Sequence, residues 1–195
     1  FVVVNQDIIV PPDRTWRLGA GLNVQFQRNL GAQIQGRMEM VGERDKSVRF
    51  NSGQQFLAPL PGLWKGILFS AGSSGTLQYA AVEFARNGLT LEGGAVDIIS
   101  STIAASQENG ILLKQGSLTW QGQNVLAGNG SMAIDNQSGA PITVPNVWWG
   151  SAQGPTGPHD SIQKGDRISE NVSAPAPLAD TNFKKSWQDA LVLLP

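Results

Sequence analysis

Gly66-Ile67-Leu68-Phe69, Gly88-Leu89-Thr90-Leu91 and Gly110-Ile111-Leu112-Leu113 repeat one short pattern at intervals of 22 residues. A fourth line, Met132-Ala133-Ile134-Asp135, continues it with Met132 in the place of Ile111, 21 residues on. A fixed period of this length is the mark of a solenoid, because each unit buries its apolar face only against its neighbours. Each line is too short for a helix and alternates. Ile67 and Phe69 face one way with Leu68 opposite. Leu89 and Leu91 do the same about Thr90, and Ile111 and Leu113 about Leu112. Val96 and Ile98 precede Leu118 and Trp120 by 22 residues, and Val82, Ile103 and Val125 form a further column at 21 and 22. Three short strands per turn, stacked coil on coil, predict an all-β parallel β-helix of 21–24 residues per coil. Asn87-Gly88 and Asn109-Gly110 recur one period apart, and such pairs suit corners with positive φ.

The surroundings of this stretch fit one solenoid and a tail in 195 residues. Residues 1–178 read as the β-helix and 179–195 as a C-terminal tail. Phe1-Val2-Val3-Val4 and Ile8-Ile9-Val10 open a first, partial coil. Val24 to Val48 and Phe26 to Phe50 are each 24 apart, so the early coils are longer. Residues 51–63 read as a loop thrown out from a turn, and 136–160 are rich in proline and glycine. Residues 161–178 carry one last short strand, Arg167-Ile168. In the tail, Phe183, Trp187, Leu191 and Leu194 share one face of a helix, with Asp180 or Thr181 as its cap. Ala190-Leu191-Val192-Leu193-Leu194 also suits a strand.

Charged residues are 15% of the chain and the net charge is −1, which gives no basic stripe for nucleic acid and no polybasic attraction to a membrane. No apolar run reaches the ~18 residues that a membrane-inserted helix needs. The absence of cysteine excludes disulfides and thiolate metal sites. A first residue of Phe, not Met, predicts a processed form or an excised fragment.

Ile9-Val10, Leu22-Asn23-Val24-Gln25-Phe26, Ile34-Gln35-Gly36-Arg37-Met38, Val48-Arg49-Phe50, Trp64-Lys65-Gly66-Ile67 and Leu77-Gln78-Tyr79 resemble the opening of many bacterial right-handed parallel β-helix repeat proteins of the pectin-lyase-like superfamily. The closing stretch Asn146-Val147-Trp148-Trp149-Gly150-Ser151, then Gly154-Pro155-Thr156-Gly157-Pro158, Gly165-Asp166 and Asn171-Val172, is similar too. It departs from the family's pattern in having Val147 directly before the tryptophan pair. The resemblance covers about residues 5–178. It implies a right-handed solenoid, extracellular or cell-surface residence, and a module that is commonly part of a larger secreted chain. It is poor for function, since the fold carries lyases, hydrolases, adhesins and inert modules.

Catalytic groups are scarce. His159 is the one histidine, beside Asp160 in a Pro/Gly loop, so neither a serine triad nor a zinc site assembles from this sequence. The Gly-His-Gly element of polygalacturonase-like members is absent. Glu83, Glu92, Asp97, Glu108 and Asp135 are scattered rather than spaced by one period, unlike a calcium-binding acid ladder or a carboxylate pair. Glu39, Glu43 and Asp45 alternate with Arg37, Arg44 and Lys46 as a solvated turn does. The sequence therefore predicts no catalytic, cofactor or metal site. Trp64 and Trp120 read as core, Trp148-Trp149 as a closing motif, and Trp16 and Trp187 as the freer candidates for stacking on a sugar.

Two apolar features remain. The outward column Leu68, Thr90, Leu112 and Ala133 is mostly apolar, which rules out an ice-binding array and asks for a cover. The termini, Phe1-Val2-Val3-Val4 and Phe183, Trp187, Leu191, Val192, Leu193 and Leu194, either cap their own solenoid or meet a neighbour. Open strand edges at the ends of a β-helix favour pairing, and a head-to-tail contact that closes no ring builds a filament. The expectation is a non-catalytic structural module of a secreted or cell-surface protein: a filament subunit, adhesin or spacer with itself as partner. The alternative is an extracellular polysaccharide-binding or polysaccharide-cleaving β-helix.

Overall fold

A computed structural model describes residues 1–53 and 59–181. The chain winds as a parallel β-solenoid of about 6 turns, with no helix among the described residues. Coil one contains β1 (Val2–Val4), β2 (Ile8–Val10) and β3 (Thr15–Gly19); coil two contains β4 (Asn23–Phe26), β5 (Ala32–Ile34) and β6 (Arg37–Val41). Coil three contains β7 (Val48–Ser52), β8 (Ile67–Ser70) and β9 (Ser74–Gln78). Coil four is β10 (Ala80–Glu83) with the long β11 (Leu89–Ile99), and coil five is β12 (Thr102–Ala104) with β13 (Ile111–Gln121). The stack ends with β14 (Asn124–Ala127), β15 (Ile134–Asn136), β16 (Ile142–Thr143), β17 (Val147–Trp148) and β18 (Val172–Ser173).

Three faces result. The first is a seven-stranded sheet in the order β1-β4-β7-β10-β12-β14-β17. The second contains β2, β5, β8 and β15 with the first halves of β11 and β13. The third contains β3, β6 and β9 with the second halves of those two strands. β11 shifts register against its neighbours between Leu91 and Gly94, where it turns from one face to the next. All pairing between named strands is parallel, so inward residues stack in columns. On the second face Ala32, Ile67, Leu89, Ile111 and Ile134 form one such column, and Ile34, Phe69, Leu91 and Leu113 another, all buried. In coils two and three the interior is aromatic: Phe26 stacks on Trp64 at 4.6 Å, and Phe50 meets both Phe26 and Trp16 at 5.3 Å. Trp64 also donates from Nε1 to the Glu83 carbonyl at 2.9 Å.

Several registers differ from the periodic reading. The first coil is complete, with three strands. Val24 pairs with Phe50 and Phe26 with Ser52, two residues beyond the 24-residue spacing, because β7 runs on to Ser52 before the excursion begins. Leu126, not Val125, continues the Val82–Ile103 column. Ile134 sits opposite Ile111, so the outward place after Leu112 belongs to Asp135 while Ala133 is fully buried. Arg167 and Ile168 make isolated bridges to Thr156 and Ile134, and the last strand is instead Val172–Ser173.

The Asn-Gly corners also work differently. Gly88 and Gly110 are not among the positive-φ glycines. They are needed because coils approach closely there. The carbonyls of Gly31, Gly66, Gly88, Gly110 and Ala133 accept from the amides of Ile8, Ala32, Ile67, Leu89 and Ile111 at 2.9–3.1 Å. A Cβ on Gly88 would lie 2.6 Å from the Gly110 carbonyl oxygen, and one on Gly110 would lie 2.7 Å from that of Ala133.

Candidate functional site

Glu83, Glu92, Asp97, Glu108 and Asp135 are each tied to a neighbouring coil or turn. Glu92 accepts from Lys114 at 2.9 Å, Glu108 from Asn87 at 2.8 Å and Asp97 from the Thr119 hydroxyl at 2.5 Å. Glu39 accepts from Arg17 and Arg37 at 2.9 and 2.8 Å, and Asp135 from Gln137 at 2.8 Å. Among the described residues no three His, Asp or Glu side chains come together as a metal-binding group. His159 stands in solvent with its side chain 86% exposed, 3.7 Å from Glu170.

A groove runs along the outer side of the second face. Its outward column runs Ile9, Gln33, Leu68, Thr90, Leu112, Asp135. Ile9 is exposed, and the other five are half-buried. Strand alternation puts them outward. A shallow groove of about 330 Å³ follows, lined by Ile9, Gln33, Lys65, Leu68, Thr90 and Glu92, with Asp7 at its margin. Asp7 accepts from Lys65 Nζ at 2.8 Å and from the Gly31 amide at 2.8 Å. The Lys65 hydrogen bond, helped by that amide, holds the Asp7 carboxyl below its ordinary range. Gln33 donates to Ser70 Oγ at 3.2 Å. The groove thus offers an apolar floor with an amide, a hydroxyl and ion-paired charges at its rim.

The N-terminal coil is the second feature. β1, β2 and β3 pair only with β4, β5 and β6, so their other edges are open among the described residues. Phe1, Val2, Val3 and Ile9 are 82, 49, 47 and 58% exposed, while Val4 is buried. Val2 shares the inward column of Val24 and is half exposed.

The C-terminal end is closed by different chemistry. Trp149 is fully buried, and Asp166 reaches back to accept from the Gly128 amide at 3.0 Å, the Asn129 amide at 2.8 Å and Asn129 Nδ2 at 2.9 Å. Burial pushes the Asp166 carboxyl above its ordinary range despite these donors. Nothing in the spacing of Asp166 marked it as a latch, because its partners lie 37–38 residues away across a loop.

Of the sequence-derived candidates, Leu68, Thr90 and Leu112 do form one outward column, and Ala133 does not. Phe1 and Val2–Val4 lie together on the open edge. Phe183, Trp187, Leu191, Val192, Leu193 and Leu194 lie outside the described residues. Trp16, expected to be free, packs on Phe50, and Trp64 is core.

Compared with known proteins, the chain matches no family model, no curated protein and no solved structure. The fold that the resemblance implied, a parallel β-solenoid, is the fold the chain has.

Proposed function

We propose that this chain is a non-catalytic structural module of the pectin-lyase-like kind, carried by a secreted or cell-surface protein, in which the N-terminal coil is a joint for assembly with a second copy. The observation that carries the reading is the edge of β1, β2 and β3 that pairs with no other strand among the described residues, with Phe1, Val2, Val3 and Ile9 exposed beside it. An edge of unpaired amides and carbonyls is a template for strand addition. Apolar side chains next to it supply the burial that such pairing needs. The test is the molar mass of the purified chain by size exclusion with light scattering over a concentration series, then electron microscopy of large species. Concentration-dependent oligomers that Val3→Lys and Ile9→Lys abolish support the reading. A monomer at every concentration sinks it.

A second reading rests on the groove of the second face. Gln33, Thr90 and the Asp7–Lys65 pair over Leu68 suit a neutral or acidic polysaccharide, whose sugars have apolar faces and hydroxyl rims. Binding to a panel of soluble polysaccharides, lost on Leu68→Asp, is what this reading expects.

A further inference from the structure

Two depressions adjoin where the regular coils give way to the closing loops. The larger, of about 460 Å³, has Asn129, Ser131, Gln163 and Asp166 in its walls. The smaller, of about 390 Å³, has Thr156, Asp160, Ser169 and Glu170. Met132 and Arg167 line both, and Arg167 is the only cation lining either. Local structure fixes its place. The Arg167 carbonyl accepts from the Ala133 amide at 2.7 Å, and Arg167 bridges to Thr156. Ile168, next in the chain, is buried in the core, so alternation sends the exposed Arg167 side chain outward. Its guanidinium has no protein partner among the described residues. The three carboxylates of the two depressions each face another group. Asp166 accepts from Gly128 and Asn129, Asp160 accepts from the Gly157 amide at 2.7 Å and Lys164 at 3.1 Å, and Glu170 stands 3.7 Å from His159.

We infer that the larger depression is a binding site for a small hydroxycarboxylic acid, whose carboxylate pairs with Arg167 and whose hydroxyls meet Gln163, Ser131 and Asp166. A guanidinium is a planar fork of donors that matches a carboxylate with two parallel hydrogen bonds. The Gln163 amide and the Ser131 hydroxyl are exposed and have no side-chain partner among the described residues, so both can donate or accept. Asp166 adds an acceptor. Its Oδ2 takes two hydrogen bonds, but Oδ1 takes only that of the Gly128 amide at 3.0 Å and keeps a lone pair for a hydroxyl. The same carboxylate repels a compact dianion, which disfavours phosphate in this depression. A neutral polyol would leave Arg167 unmatched. A monovalent acid that also carries hydroxyls satisfies the cation and the acceptors together, and the half-buried Met132 offers apolar contact to its carbon chain. The volume is within the range of ~300–1,000 Å³ usual for small-molecule sites.

The test is titration of the full chain with D-gluconate, followed by calorimetry and by ligand-observed NMR, with D-glucose and inorganic phosphate as the comparison probes. Gluconate is expected to bind saturably in the millimolar range or tighter, and glucose and phosphate at least several-fold more weakly. Arg167→Gln is expected to weaken gluconate by about ten-fold or more, the worth of a charge-assisted hydrogen-bond pair. Arg167→Lys, which keeps the charge and loses the fork, recovers only part of this. Gln163→Ala costs a few-fold. Arg167 and Gln163 are exposed, so the variants are expected to melt with the parent. No saturation by millimolar gluconate overturns the inference. So does binding that Arg167→Gln leaves unchanged, which would place the acid elsewhere. Phosphate or glucose binding as tightly as gluconate overturns the assigned class. The site uses neither the N-terminal edge nor the second-face groove, so this inference and the readings above stand or fall separately.

Discussion

Arg49 Nη2 and Glu83 Oε2 meet at 2.8 Å on the outer side of the first face, where the carboxylate is fully enclosed and the guanidinium side chain is 28% exposed. The other carboxylate oxygen, Oε1, has no hydrogen-bond partner among the described residues. Removing the cation leaves a buried charge without its ion pair. Breaking a fully buried pair costs about 3–5 kcal/mol, and the partial exposure of Arg49 lowers the figure here to about 2–3 kcal/mol. Arg49→Met is therefore expected to lose that much stability in urea denaturation. Adding Glu83→Gln restores part of it, because the charge that was stranded is gone. Strictly additive losses in the double variant would show that the two groups are not coupled.

The corner glycines give a sharper structural test. Gly88→Ala places a methyl 2.6 Å from the Gly110 carbonyl oxygen and 2.6 Å from Ile103 Cγ2. The backbone of two hydrogen-bonded coils has to yield, at a cost of about 1–3 kcal/mol for overpacking of this kind. Gly19→Ala meets nothing within 4 Å and adopts no positive φ, so it is expected to stay within about 0.5 kcal/mol of the parent. Melting curves of the two variants decide the matter. A Gly88→Ala protein as stable as Gly19→Ala would mean that the corner is not tightly packed.

These glycines also explain what could be read from the chain. From Gly66 to Leu113 the corner keeps glycine and the coil keeps 22 residues, so the column of Ile67, Leu89 and Ile111 was visible as text. At the next coil Ala133 takes the corner, and the distance from Ile111 to Ile134 becomes 23. An alignment anchored on Met132 then slipped by two, which preserved alternation and misplaced Asp135. The Arg49–Glu83 pair was invisible for a related reason. Phe50 and Val82 are neighbours in register but 32 residues apart, because the excursion after Ser52 lies between them. Asp166 was hidden by its loop. Solenoid columns are legible where the coil length is constant, and contacts across insertions carry no period.

Asp7 supplies a pH test on the groove margin. Its folded pKa is lowered from 3.8, mainly by the hydrogen bond from Lys65. The stability it contributes is therefore present above the unfolded value and is lost as pH falls through the lower folded one. The side chain is 49% exposed, and solvent screening limits an ion pair of this sort to about 0–1 kcal/mol. Asp7→Asn is expected to melt slightly below the parent at pH 6, with the difference closing towards pH 2. A gap that stays constant across that range would leave the Asp7–Lys65 pair without an ionic contribution.

Asp166 has the opposite sign. Its folded pKa is raised above 3.8 because burial outweighs the donors from Asn129 and Gly128. A carboxyl shifted in this direction favours the folded state while it is protonated. That contribution is present below the unfolded pKa and is lost as pH rises through the higher folded value. Asp166→Asn loses one acceptor and turns an amide N–H group towards backbone N–H donors, so it is less stable than the parent at any pH. The informative quantity is how the gap changes. The parent's advantage over Asp166→Asn is expected to be widest near pH 3 and to narrow as pH rises towards neutrality. The Asp7 effect runs the other way in the same window, so the comparison is made in an Asp7→Asn background. An advantage that grows with pH would mean that the three donors from Gly128 and Asn129 outweigh burial, and that the C-terminal latch is held by an anion stabilised in place.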